Sequence, residues 1–172
     1  MNRTKWLITQ IKKYDYRIGA ELGVQLGRNL FQIKEAFPDE LILYGIDIWS
    51  DKQVRFDGTM DLTDIKPNAA WATVNNKLQK LKNPDQVKLI RDFTSSASRK
   101  FEDESLDFIF IDASHQYDEV YLDIKLWKSK VRKGGLISGH DIHMKGVVKA
   151  VNELLPGWQK AGGDNVWFIR KE

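Results

Sequence analysis

Short runs of β-branched and aromatic residues alternate with helically spaced apolar stripes along nearly the whole chain, and that alternation leaves few folds open. Strands are expected at residues 17–22, 41–46, 87–91 and 106–111, and a fifth begins at 136–138. Helices are expected at 4–13, 29–37, 68–81, 95–101 and 117–131, with a last stripe on Val147, Val148, Val151, Leu154 and Leu155. Gly134-Gly135 reads as the stop of the helix at 117–131. Residues 158–161 and 165–170, around Gly162-Gly163-Asp164, read as a closing antiparallel hairpin. Five strand–helix units joined by right-handed crossovers build an α/β fold, an open, doubly wound, mostly parallel sheet with helices on both faces. Such sheets bind ligands beyond the C-terminal ends of their strands.

Composition narrows the chemistry. A length of 172 residues fits one domain, read as 1–172, and can bury a core without disulfides. The absence of cysteine excludes disulfides, thiolate zinc sites and thiol catalysis. Any metal must sit on Asp, Glu, His, Asn or Gln. The net charge of +3 is modest and spread along the chain, which argues against nucleic acid as a partner; the densest basic cluster, Lys128 to Lys133, reads as a solvated helix end. No apolar run reaches the length of a membrane span, and the first residues lack a signal-peptide pattern, so the expectation is a cytoplasmic protein with no membrane partner.

Acids mark the strand ends: Asp47, Asp92, Asp112 and Asp141, with Glu21 near the end of the first strand. In the stretch IGAELGVQLGRNL, Gly23 and Gly27 permit a tight turn close to a ligand, and Asn29 reads as the cap of the next helix. Asp47 stands where an acid can accept hydrogen bonds from the hydroxyls of a ribose. A G-x-x-x-G also serves as a plain helix-packing turn. It lacks the close glycine pair of dinucleotide sites, so a cofactor with adenosine and an amino acid but no phosphate fits better. S-adenosylmethionine is such a molecule.

Together, ELGVQLG, GIDIW, RDFTS and FIFIDASHQYDEVYLDIKLW with GGLISGHDI resemble the class I S-adenosylmethionine-dependent methyltransferases. The resemblance is to the metal-assisted small-molecule O-methyltransferases, including macrocin-type sugar methyltransferases and cephalosporin-hydroxylase-like proteins, and it runs from Ile18 to Arg170. It implies a Rossmann-like, seven-stranded sheet whose last strand is antiparallel. It places Glu21, Gly23 and Gly27 around the methionine part of the cofactor, Asp47 on the ribose, Ile48 and Trp49 beside the adenosine, and Asp92 and Phe93 at the adenine; Asn29 joins the expected cofactor-binding residues as the cap of a helix whose free N–H groups can face an anionic group. It makes Asp112, His140 and Asp141 the ligands of a divalent metal, Mg²⁺ or Mn²⁺, and His115 the base. Asp112 then faces both the cofactor and the metal. Members of the group often carry an acid where this chain has His140. An imidazole suits Mn²⁺, Fe²⁺ or Zn²⁺ better than Mg²⁺.

The chemistry needs those residue types. Methyl transfer from a sulfonium is an in-line displacement, so the protein must align the acceptor and remove a poorly acidic hydroxyl proton. Alignment is worth about 7–11 kcal/mol, and a metal on the acceptor oxygen lowers its pKa so that a nearby base can finish the step. All three histidines of the chain fall between Asp112 and His143. Each acid also has a plainer role open to it, since a strand-end Asp often caps the following helix. His143 reads as a loop residue and Asp118 as a first-turn acid that complements the helix dipole. Trp6, Trp71 and Trp127 read as core, and Trp49 as the exception.

The expected activity is O-methylation of a small hydroxylated acceptor, such as a sugar or glycoside. Other readings are a nicotinamide-dependent oxidoreductase, a non-catalytic cofactor-binding scaffold and an iron-dependent hydroxylase. Acceptor choice falls to the strand-end loops at 50–67, 114–117 and 142–146, the first of them expected to act as a lid. The first helix, with Trp6 and Ile8, is expected on the sheet or on a second copy of the chain.

Overall fold

The computed structural model describes residues 1–50 and 66–172; the expected lid falls almost wholly outside them. In chain order the elements are α1 (Arg3–Tyr14), β1 (Ile18–Leu22), α2 (Arg28–Ala36), β2 (Ile42–Asp47), α3 (Ala69–Leu78), β3 (Val87–Arg91) and α4 (Thr94–Ala97). They continue with β4 (Leu106–Ile111), α5 (Tyr117–Trp127), β5 (Val131–Gly139), α6 (Lys145–Leu154), β6 (Gln159–Lys160) and β7 (Trp167–Arg170). The seven strands form one sheet in the order β3-β2-β1-β4-β5-β7-β6. β1 through β5 pair in parallel, and β7 runs antiparallel to both β5 and β6. Strand order reverses between β1 and β4, which opens the ligand crevice of a doubly wound sheet there.

Period-two alternation divides the core between the two faces. In β4, Ile109 and Ile111 join Val120, Ile124 and Trp127 of α5 and Val147, Ala150 and Val151 of α6 on one face. Phe108 and Phe110 join Trp6, Leu7 and Ile11 of α1, Leu30 and Ile33 of α2, and Val74 of α3 on the other. Helix α1 therefore packs on the sheet. Asn2 caps its start by accepting the Lys5 N–H at 2.9 Å, and the Trp6 ring lies 5.2 Å from that of Phe168 in β7.

Two local expectations are corrected. The fifth helix ends at Trp127 rather than at residue 131, and Gly134-Gly135 lies inside β5, which begins at Val131. The register between β4 and β5 shifts between Leu106 and Phe108, and Gly134 takes a φ of 74° in the irregular stretch. A glycine pair that looks like a helix stop is here a strand irregularity. Asn29 is the other correction: Gly27 precedes the first turn of α2, and Asn29 is a buried residue within it.

Helix α5 also buries a charge-bearing group. Asp123 is 3% exposed and accepts the Thr94 hydroxyl at 2.5 Å. Burial pushes its pKa from 3.8 up to about 7, with the Thr94 hydrogen bond opposing the shift. Between those values the unfolded chain is ionised while the folded one keeps its proton, so stability falls as pH rises through this window and the loss is complete above it. Asp123→Asn should flatten that fall. Urea midpoints at about pH 5 and about pH 8 should differ less for the variant than for the parent.

Candidate active site

A continuous set of backbone hydrogen bonds holds the strand ends level. The His140 N–H donates to Ile111 O at 3.0 Å, Asp112 to Leu22 O at 2.8 Å, Gly23 to Ile46 O at 2.8 Å and Asp92 to Asp47 O at 3.1 Å. Each bond lies just beyond a parallel pairing, so the residues expected to do chemistry emerge along one edge. Gly23 sits at the reversal point with a φ of 88°, and a Cβ there would lie 2.3 Å from the Asp112 carbonyl oxygen. Only glycine lets the first loop approach β4 so closely. Gly146 plays a similar part at the start of α6, where a Cβ would lie 2.2 Å from the His115 carbonyl oxygen.

Behind the first loop, Glu21 is buried. Its Oε1 accepts the Asn29 side-chain N–H at 3.2 Å, while its Oε2 and the Asn29 Oδ1 are buried without a hydrogen-bond partner among the described residues. Burial pushes the Glu21 pKa up to about 8, the nearby Asp112 charge adds to the rise, and the Asn29 bond opposes it. Once Glu21 gives up its proton, its Oε2 and the Asn29 Oδ1 both accept, which suits a ligand that brings donors, such as an ammonium group.

The surroundings of Asp47 differ from the simple expectation. The Asp47 carboxylate accepts three backbone N–H groups, from Val24 at 2.9 Å, Gln25 at 2.8 Å and Trp49 at 2.7 Å. It ties the end of β2 to the first loop, and binding a ribose with both oxygens requires exchanging some of these bonds. Trp49 is buried against Trp71, with its indole N–H on the Gln25 carbonyl at 2.8 Å. It is buried in the same cluster as Trp6. The Ile48 carbonyl accepts Arg91 Nε at 3.2 Å. Asp92 accepts the Phe93 N–H at 2.8 Å and pairs with Lys100 at 2.7 Å.

Asp112, His140 and Asp141 come together as expected: one ligand atom from each lies within 4.8 Å of the others. His140 Nδ1 faces Asp141 Oδ1 at 3.0 Å and Asp112 Oδ1 at 3.7 Å, while Nε2 meets Asp164 Oδ1 at 3.1 Å. A carboxylate on the outer nitrogen is the usual means of aiming an imidazole at a cation. This donor set fits a divalent ion that accepts nitrogen. Asp141 has a φ of 57°, which turns its other oxygen to His115 Nε2 at 2.7 Å. Burial pushes the Asp112 pKa up to about 6, against the opposing charges of Arg3 and His140. For Asp141, burial is outweighed by the bond from His115 and the charge of His140, and its pKa falls. His143 lies in the loop with Nδ1 3.8 Å from Asp141 Oδ1.

Two residues here escaped the sequence reading. Asp164 belongs to the β6–β7 turn, and Arg3 reaches Asp112 Oδ2 at 3.3 Å from α1. Neither has a local signal: Arg3 meets His140 from 137 residues away, and Asp164 meets it from a turn 24 residues further on.

Comparison with known proteins agrees with this architecture. The sequence profile of the family described as "Methyltransferase domain" matches residues 20–142. The chain belongs to that family, and it is a methyltransferase of the class I, S-adenosylmethionine-dependent fold. Among solved structures, a Staphylococcus aureus protein assigned as a caffeoyl-CoA O-methyltransferase is similar at 15% identity and a TM-score of 0.73, over 100% of this chain and 85% of that one. The S-adenosylhomocysteine-bound methyltransferase PaMTH1 of Podospora anserina is similar at 16% identity and a TM-score of 0.72, over 100% and 80%. The calicheamicin methyltransferase CalS11 is similar at 12% identity and a TM-score of 0.69, over 97% and 76%. No curated protein matches the sequence.

Gly23→Ala tests the reversal point. It should destabilise the protein by about 1–3 kcal/mol, since a strained φ and a backbone clash coincide. The drop in urea-unfolding free energy measures it; an unchanged value would mean that the first loop does not need its approach to β4.

Proposed function

We propose that this protein transfers a methyl group from S-adenosylmethionine to a hydroxyl of a small molecule, such as a sugar or glycoside, as one domain spanning residues 1–172. The observation that carries the reading is the convergence at one strand-end crevice of the unpaired Glu21–Asn29 acceptors and the Asp112–His115–His140–Asp141 cluster. A structural neighbour supports a sugar acceptor by analogy: CalS11 is described as a TDP-rhamnose 3'-O-methyltransferase.

Each residue then has a task. Glu21 and Asn29 take the amino end of the cofactor, with Gly23 and Gly27 giving room for its approach. Asp47, Ile48 and Trp49 border the nucleoside, and Asp92 and Phe93 its base. Asp112, His140 and Asp141 hold a divalent cation, Mg²⁺ or Mn²⁺, and Mn²⁺ suits the imidazole better. That cation would polarise the acceptor hydroxyl. With its Nε2–H on Asp141, His115 keeps Nδ1 free to take the hydroxyl proton, and the carboxylate stabilises the resulting imidazolium. The protein acts in the cytoplasm on a small-molecule partner, without nucleic acid or membrane; among the described residues no helix is long and apolar enough to cross a membrane.

Calorimetric titration with S-adenosylhomocysteine tests the cofactor site. Glu21 holds its proton below about 8 in the free protein, and a bound ammonium favours its ionised form. Binding should therefore release protons and tighten as pH rises toward 8, and Glu21→Gln should bind with a weaker pH dependence. No binding by folded protein would overturn the assignment.

His115→Ala tests the base. It should keep cofactor affinity while turnover on an acceptor found by screening sugars and phenols falls about 10²–10⁴-fold. Undiminished turnover would remove His115 from the reaction.

A further inference from the structure

The acid–imidazole cluster already contains a cation. Arg3 Nη1 lies 3.3 Å from Asp112 Oδ2 and 3.2 Å from His140 Nδ1. It is delivered by α1 rather than by any strand that carries an acid. The helix is anchored through buried Trp6, Leu7 and Ile11. Its first turn is also latched: the Arg3 backbone N–H donates to Asp164 Oδ2 at 2.8 Å, and Asp164 Oδ1 meets His140 Nε2 at 3.1 Å. One carboxylate thus fixes both the arginine and the imidazole. In the neutral tautomer that gives the Nε2–H to Asp164, the one lone pair of His140 is on Nδ1, which Arg3 Nη1 approaches at 3.2 Å beside Asp141 Oδ1 at 3.0 Å. A single lone pair cannot serve an N–H donor and a metal ion together.

We infer that Arg3 is a resident, displaceable cation of this cluster, so that its guanidinium and a divalent ion compete for Asp112 and His140. Loading a metal then requires the first turn of α1 to withdraw its side chain. The inference rests on the metal-site reading above and extends it to a residue outside the ligand set. Charge sets the direction of the exchange. Asp112 and Asp141 present two carboxylates, which one guanidinium neutralises only in part and a divalent ion matches. Tethering favours the arginine, because a group held on a docked helix acts at high effective concentration. The arginine side chain is 35% exposed, so withdrawal toward solvent needs no opening of the core. Metal affinity is thereby coupled to the docking of α1.

Mn²⁺ titrations of the full chain, followed by calorimetry and by the electron-spin signal of the free ion, test this. Arg3→Ala, and Arg3→Gln as a variant that keeps a side-chain donor without the charge, should bind Mn²⁺ about tenfold or more tightly than the parent. Adding Asp112→Asn to Arg3→Ala should abolish the gain. Mn²⁺ should also raise the melting temperature of Arg3→Ala more than that of the parent. Equal Mn²⁺ affinity in parent and both variants would overturn the competition, as would no Mn²⁺ binding by variants that remain folded. S-adenosylhomocysteine is titrated alongside. Its failure to bind, with the Mn²⁺ gain intact, would overturn the methyltransferase reading and leave the competition standing.

Discussion

The amide of Asp112 donates to the Leu22 carbonyl and that of Gly23 to the Ile46 carbonyl, each at 2.8 Å. These bonds join β4 to β1 and β1 to β2 where strand order reverses, and the site hangs from them. A parallel sheet sets a common level for its strand ends only if each strand stays in register with its neighbour to the last residue. The bonds from Asp112 and Gly23, and that from His140 to Ile111 O, extend the register one step past the strands. Asp112, Glu21 and His140 therefore gather from three strands without a dedicated loop to carry them.

That arrangement explains why part of the site was legible in the sequence. Asp112 follows a run of strand residues whose two faces are both buried, so its place at the end of β4 was set by a pattern visible locally. The same holds for Asp141 and His140 after β5, and His115 follows Asp112 too closely to lie elsewhere. Arg3 and Asp164 were hidden for the opposite reason. Arg3 and His140 are 137 residues apart, and their contact depends on how α1 docks and on how the β6–β7 turn folds over it. No local pattern encodes either. The partners of Asp47 were hidden as well, because a carboxylate that accepts the N–H groups of its own loop looks in sequence like one waiting for a ribose.

Gly134-Gly135 shows a different limit. In sequence a glycine pair after a helical stripe is a stop signal, and here the helix has already ended at Trp127. The pair instead relieves the register shift between β4 and β5, and the strand resumes its pairing at Leu136 opposite Phe108. A Cβ at Gly135 would lie 2.6 Å from the Asp107 carbonyl oxygen, so the close approach, rather than helix termination, selects glycine.

Charge links the site to the stability of the fold around it. Asp112 is pushed toward neutrality by burial although Arg3 and His140 both oppose the rise, and Asp141 is held ionised by His115 and His140. Burial outweighs the neighbouring positive charges at Asp112, and α1 supplies one of those charges through Arg3. That gives the first helix two tasks of different kinds. Trp6, Leu7 and Ile11 bury apolar surface on the sheet whatever occupies the crevice, whereas Arg3 and the latch through Asp164 respond to the charge between the carboxylates. The apolar contacts keep the helix in place when the guanidinium leaves, so exchange at the cluster needs only the first turn to move. An arginine delivered by a strand could not do this, because withdrawing it would break the register that holds the acids together.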